Sequence, residues 1–313
     1  MTINARVAEP VVQVVSELSP MQFTYKPRYY WLIVRGLLNS GKLDVENSRR
    51  IISSSYTISP EVHQRYGELF NVPPALLDSV PFNYVTRSAA TWIVRTLGDL
   101  GVNFSSLRHV KTAQKFIKPS VPITPWKSQH YWVGMDDIVP MGKNRVVVIF
   151  KGAIQDDLGE TCTTYEDYFM VGGIKAASMK MLRTHAHLGK SRVSDLASLT
   201  RKLPMENYQE AIDFAIPARM GRDYAKLSGD LNIVHIHNAV ARLSGHPKAF
   251  IQGFCTANYI VKHLSLSVGP ITTIETLFAR PVYVNEPVRL LCNEKYFSLV
   301  SSNSKVLSFG SWS

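Results

Sequence analysis

The sequence predicts an α+β protein in which a long buried helix is wrapped by a curved antiparallel sheet, and predicts that this arrangement occurs twice. Three observations carry the prediction. Two separate stretches place apolar residues at helical spacing, strand-like runs follow each of them, and a basic stretch poor in aromatic residues lies between.

The first helix is read from "SVPFNYVTRSAATWIVRTLGDLGVN" (79–103), where Val85, Ala89, Trp92, Ile93 and Leu97 share one face and Gly101 marks the end. "RVVVIFKGAI" (145–154), the turn signal "QDDLGE" and "TCTTYEDYFMVG" (161–172) then read as a hairpin, because β-branched and aromatic side chains dominate both arms. In the second half "YQEAIDFAIP" is the opening strand, a polar "SGDLN" segment follows, and a helix is expected from about Gly253 to His263. Three strand-like runs close the chain, 272–284, 288–302 and 304–313, separated by "NEP" and "SNS". The expected divisions are an N-terminal extension (1–55), a first unit (56–172), a linker (173–206) and a second unit (207–313). Packed sheet edge to sheet edge, two such units would leave few strand edges exposed.

Composition narrows the function. With 313 residues, 45% of them hydrophobic, the chain holds enough apolar material for one large core or two ordinary ones, and two domains are expected. The most apolar local run, "YYWLIVRGLL" (29–38), is too short for a membrane span and is interrupted by Arg35 and Gly36. The first twenty residues carry no export signal, so the cytoplasm is the expected location. Cys162, Cys255 and Cys292 are scattered without metal-ligand spacing and are expected to be buried free thiols. The formal charge of +11 favours anionic partners. The basic residues are dispersed rather than clustered among aromatics, which argues against nucleic acid.

"LSGDLNIVHIHNAV" (227–240) gathers Asp230, Asn232, His235 and His237 within otherwise apolar sequence. Adding water to a double bond conjugated with a thioester needs a group that orients and deprotonates the water, a proton for the α-carbon, and donors for the oxygen on which charge develops. Asp230 and His235, five residues apart around a turn at Gly229, suit the first two tasks. Gly253, opening the expected buried helix, suits the third, because helix-leading N–H groups point at their ligand without reorganising.

"RDYAKLSGDLNIVHIHNAVARLSG" followed by "AFIQGF" resembles the signature of MaoC-like dehydratases and (R)-specific enoyl-CoA hydratases, through Tyr224, Ala225, Ser228, Gly229, Asp230, Asn232, His235, Ala241, Gly245 and Gly253. "LFARPVYVNEPV" (277–288) is similar to the strand that follows in that family, and the close match covers about residues 210–290. The resemblance implies a double hot-dog fold whose first unit lacks the motif. It implies that Asp230 and His235 activate water, that Ser228, Gly229, Asn232 and Gln252 support the motif, and that the Gly253 N–H faces the thioester oxygen. Two positions depart from the pattern: Ile233 stands where the family has Pro, and Gln252 where it has His.

The expected activity is hydro-lyase chemistry, interconverting trans-2-enoyl and (R)-3-hydroxyacyl thioesters with no metal or redox cofactor, the acyl group being carried on coenzyme A or an acyl carrier protein. Alternatives are a non-catalytic acyl-thioester-binding protein or a hot-dog thioesterase, and a homodimer is left open. Blander readings apply elsewhere. His237, His246 and His263 are taken as solvated or structural, Cys255 as a small core residue rather than a nucleophile, and Arg280 as a strand-end charge.

Overall fold

A computed structural model describes residues 29–44, 51–57, 60–84, 87–117, 128–156, 158–184 and 207–313. Most of the expected linker and the first part of the N-terminal extension lie outside these residues. All ten strands of the described residues join one antiparallel sheet. They are β1 (Ile51–Thr57), β2 (Arg108–Phe116), β3 (Ser128–Met141), β4 (Arg145–Gln155), β5 (Thr161–Val171), β6 (Glu210–Ala215), β7 (Thr273–Phe278), β8 (Pro287–Cys292), β9 (Tyr296–Ser301) and β10 (Val306–Trp312). Their order is β1-β3-β4-β5-β2-β7-β10-β9-β8-β6. Read inward from either end, each half runs first, third, fourth, fifth, second. The same fold is therefore used twice, and β2 meets β7 at the seam, with Lys111 opposite Leu277 and Lys115 opposite Thr273.

Helices lie over this sheet: α1 (Tyr29–Leu38), α2 (Pro60–Phe70), α3 (Arg87–Asp99), α4 (Ala176–Thr184), α5 (Met220–Ser228), α6 (Asn238–Leu243) and α7 (Gly253–Ser267). The α7 helix is apolar on nearly every side and is the centre of the second unit, burying Cys255, Ala257, Tyr259, Ile260, Val261 and Leu264. Its core continues across the unit boundary: Tyr66, Phe70, Phe82 and Tyr84 from the first unit pack in the same cluster as Tyr224 and Tyr259. The Asn258 side chain fastens this overlap, accepting from the Asn83 N–H (2.8 Å) and donating to the Asn83 carbonyl (3.2 Å). A second core lies under α3, around Leu97, Val146, Val148, Phe150 and Val171.

The repeat reaches below the level of strands. Counted from Thr57 and Ala215, the last residues of β1 and β6, α2 and α5 align without a gap, Tyr66 with Tyr224 and Leu69 with Leu227. Asn71 then falls on Gly229, and both backbones are left-handed, at φ 53° and 77°. A 3-10 turn follows in each, over Pro74–Ser79 and Ile233–His235. The first unit keeps the bend and has Val72 and Leu77 where the second has Asp230 and His235.

Several expectations change. The run at 288–302 is two strands, because the Asn293 side chain accepts from the N–H groups of Lys295 and Tyr296 and folds the chain into a turn. The run at 272–284 ends as a strand at Phe278, and beyond Arg280-Pro281 only the bridge between Phe250 and Tyr283 remains. The α7 helix is longer than expected, reaching Ser267. Cys162 is only half-buried, while Cys255 and Cys292 are buried, and all three are free thiols. The expected boundary between residues 55 and 56 falls inside β1.

Candidate active site

The bend after α5 is built by its own side chains. Gly229 ends α5 in the left-handed conformation that lets its N–H return to the Ala225 carbonyl. Ser228, fully buried, donates its hydroxyl to the Tyr224 carbonyl (2.9 Å) and accepts from the Asp230 N–H (3.2 Å). The Asp230 carboxylate accepts from the Asn232 N–H (3.3 Å), and the Asn232 side chain accepts from the Val234 N–H (3.4 Å), starting the 3-10 turn that delivers His235. The turn forms with Ile233 at its first position, since Asn232 already supplies the cap that fixes it.

The His235 ring is fixed from the other side. Its Nδ1 lies 2.9 Å from the Phe250 carbonyl, which can only accept, so the neutral ring carries its proton on Nδ1 and leaves Nε2 as an acceptor. The Phe250 ring meets the imidazole edge-on at 4.7 Å. Burial pulls the His235 imidazole below its ordinary value; the Asp230 carboxylate and the Phe250 carbonyl work against that, and His246 adds to it. Asp230 and His235 thus feel one another's charge. His246, taken from the sequence as solvated or structural, packs on the Phe250 ring at 4.5 Å and so touches the residue that anchors His235. His237 is exposed.

Gln252 and Gly221 brace the bend. The Gln252 amide donates to the Gly221 carbonyl (3.0 Å) and the Asp230 carbonyl (3.2 Å), tying the head of α7 to both α5 and the motif. Gly221 is required by proximity: a Cβ there would stand 2.1 Å from the His235 carbonyl oxygen. Gln252 precedes α7, and its side chain does not cap the leading N–H groups at Gly253. Cys255, in the first turn of the helix, has its thiol pushed well up, first by burial and then by the Asp230 charge, which is the state of an inert core thiol.

Residues outside the motif also meet here. A Cβ on Gly253 would stand 2.7 Å from Nδ1 of His109, on β2 of the first unit, and 3.4 Å from the Phe278 ring. The glycine therefore makes room for an imidazole from the other unit. His109 is held through Nε2 by the buried Asp167 carboxylate (3.2 Å) and is enclosed by Phe169, Phe254 and Phe278. Sequence reasoning missed this pair, since His109 and Asp167 are far apart in the chain and neither lies in a motif. A pocket of about 440 Å³, lined by residues including Lys115, Trp132, Lys151 and Glu275, borders none of the motif residues.

The duplicated sheet-and-helix unit with its seam at β2 and β7 defines a double hot-dog protein. The chain is similar in structure to a MaoC-like dehydratase from Phytophthora capsici, with 13% identity, 87% of this chain and 98% of that one covered, and a TM-score of 0.65. It is similar also to HtdX of Mycobacterium tuberculosis, with 14% identity, 84% and 99% covered, and a TM-score of 0.58. A further Mycobacterium tuberculosis protein, described as having a double hot-dog fold, matches with 10% identity, 84% and 95% covered, and a TM-score of 0.50. At such identities the likeness is one of fold. Residues 201–303 match the family model of the MaoC-like domain, in agreement with the resemblance read from the motif. Comparison with curated proteins finds no match. Among the described residues no helix is long and apolar enough to cross a membrane.

Proposed function

We propose that the protein is a hydro-lyase that adds water to trans-2-enoyl thioesters, giving (R)-3-hydroxyacyl thioesters, and catalyses the reverse. The observation that carries the proposal is the fixing of His235: its Nδ1 is committed to the Phe250 carbonyl, its Nε2 is left to accept, and the Asp230 carboxylate acts on the same ring. A water held between Asp230 and His235 loses a proton to this coupled pair as its oxygen bonds to C3. The pair then returns a proton to C2, so the elements of one water are added and nothing is oxidised. Charge that develops on the thioester oxygen meets the leading N–H of α7 at Gly253. The +11 balance suits the phosphates of coenzyme A or an acidic acyl carrier protein, and we assign the carrier to that class.

Crotonyl-CoA provides the test. Loss of the conjugated enoyl absorbance with no thiol released, and a product of R configuration on chiral analysis, is the expected result. Release of free thiol would make the protein a thioesterase. Binding without either change would make it a non-catalytic carrier of acyl thioesters.

A further inference from the structure

We infer that the β3–β4 end of the first unit is the docking face for an acidic protein that carries the acyl thioester, so that the carrier is a protein rather than free coenzyme A. The inference rests on the hydro-lyase reading above and decides between its two carriers. Three features support it. First, cations from separate stretches of chain meet at the β3–β4 hairpin. Lys143 and Arg145 belong to the hairpin itself. Arg183 of α4 donates to the Gly142 carbonyl (2.6 Å), and a Cβ on Gly142 would stand 4.0 Å from the Arg145 guanidinium. The Ile174 N–H donates to the Asn144 carbonyl (3.0 Å), which brings Lys175 to the same place. All four cations are exposed.

Second, their charge is left uncompensated. Elsewhere Lys111, Lys151, Lys248 and Arg289 each have a carboxylate partner. Among the described residues none of the four hairpin cations forms an ion pair, and the sequence holds no Asp or Glu from 138 to 155 or from 168 to 194. An exposed cluster of one sign steers a partner of the other. Third, the cations lead to the site. Arg108 is opposite Met170, and Met170 is opposite Val147, two residues from Arg145. Arg108 and Arg145 therefore share a sheet face roughly 12 Å apart. Arg108 is exposed and precedes His109, whose ring packs on Gly253 at the head of α7. Its charge is also felt by His246, which lies on the Phe250 ring. The phosphates of coenzyme A would use the cation beside the site. A run that continues to the hairpin and on to α4 suits an extended acidic surface.

The test compares two substrates on the full chain, crotonyl-CoA and the crotonyl thioester of a purified acyl carrier protein. The combined change Lys143→Glu, Arg145→Glu and Lys175→Glu should lower kcat/KM for the carrier-bound substrate about tenfold or more at low ionic strength, with kcat/KM for crotonyl-CoA within about threefold. Added salt should bring the wild type down toward the variant, because screening removes the steering. Equal loss on both substrates, or no loss on the carrier-bound one, overturns the inference. A wild type that hydrates crotonyl-CoA and leaves the carrier-bound thioester untouched overturns it and spares the hydro-lyase reading. Where neither substrate is hydrated, that reading fails, and calorimetry with the crotonyl-loaded carrier judges the docking face by itself. Binding that the charge reversal abolishes supports the face, and no binding by the wild type overturns it. Charge-dependent sedimentation with phosphatidylglycerol vesicles, together with carrier kinetics indifferent to the reversal, assigns the face to a membrane and overturns the inference. If the triple variant does not fold, unaltered carrier kinetics in Lys143→Gln with Lys175→Gln serve as the overturning result.

Discussion

The chemistry proposed for this protein depends on the protonation of single residues, and His235 is the one whose surroundings speak most plainly. Burial lowers its proton affinity, so the neutral ring with a free Nε2 is the state present at neutral pH. If that state accepts the proton from water, kcat/KM should hold level through neutrality and fall only below the ordinary histidine value of about 6.5. An acid limb at or above that value in the pH–rate profile would contradict it. Asp230→Asn and His235→Ala are each expected to lower turnover about a hundredfold or more, with little change in Tm. Near-normal turnover in either variant would remove the coupled pair from the mechanism. Asp230 and His235 were legible in the sequence because both lie on one short turn. His109 and Asp167 were not, because strand pairing between β2 and β5 is what joins them.

Helix α7 sets both the geometry of the site and a measurable share of acid stability. His263, near its end, stacks on Phe214 at 4.2 Å, and its Nε2 is buried without a partner. Burial first, then the charge of Lys262, pulls its imidazole down to about 4. The sign follows from proton counts: between pH 4 and 6.5 the unfolded chain binds a proton that the folded chain refuses, so stability is full above the unfolded value and declines as pH falls through this window. Because the ring is partly exposed, the loss is put at about 1–3 kcal/mol. His263→Phe should preserve the stack and flatten the decline in Tm between pH 6.5 and 4; an identical decline in the variant would assign the acid sensitivity elsewhere. The packing of α5 makes a second prediction. Gly221→Ala would drive a methyl against the His235 carbonyl, a backbone atom that cannot swing aside. Turnover should drop at least tenfold from a residue that never meets substrate, and a variant with wild-type kcat would show that the bend tolerates displacement.

For the molecule as a whole, the controlling feature is the seam. Lys111 on β2 reaches across to Glu275 on β7 at 2.7 Å, with the lysine side chain only 5% exposed. Its ammonium also lies over the Tyr168 ring at 4.9 Å. Removing one member of such a pair leaves a charge in a dry place, so Glu275→Gln is expected to cost about 3 kcal/mol of stability, measured by denaturant unfolding. The double change Lys111→Met with Glu275→Leu should cost less than that single one, and a larger loss in the double would mean that the ion pair itself holds the seam. The strand β2 was not recognised in sequence for the same reason. Its "RHVKTAQKF" is rich in basic and polar residues, and only pairing with two neighbours buries Lys111, Thr112 and Gln114.

By itself the sequence determined what is encoded locally: the helical stripe ending at Gly101, the β4–β5 hairpin, the turn that carries Asp230 and His235, and the glycine that opens α7. Each of these follows from side-chain periodicity or from backbone freedom within about a dozen neighbouring residues. Tertiary structure alone decided the mirrored strand order, the splitting of 288–302 into two strands, the burial of charged β2, and the meeting of His109 with Gly253. These depend on which distant segments exchange hydrogen bonds. A strand's own composition does not specify its partner, and side chains that look solvated in the chain become interior once a second sheet edge closes over them.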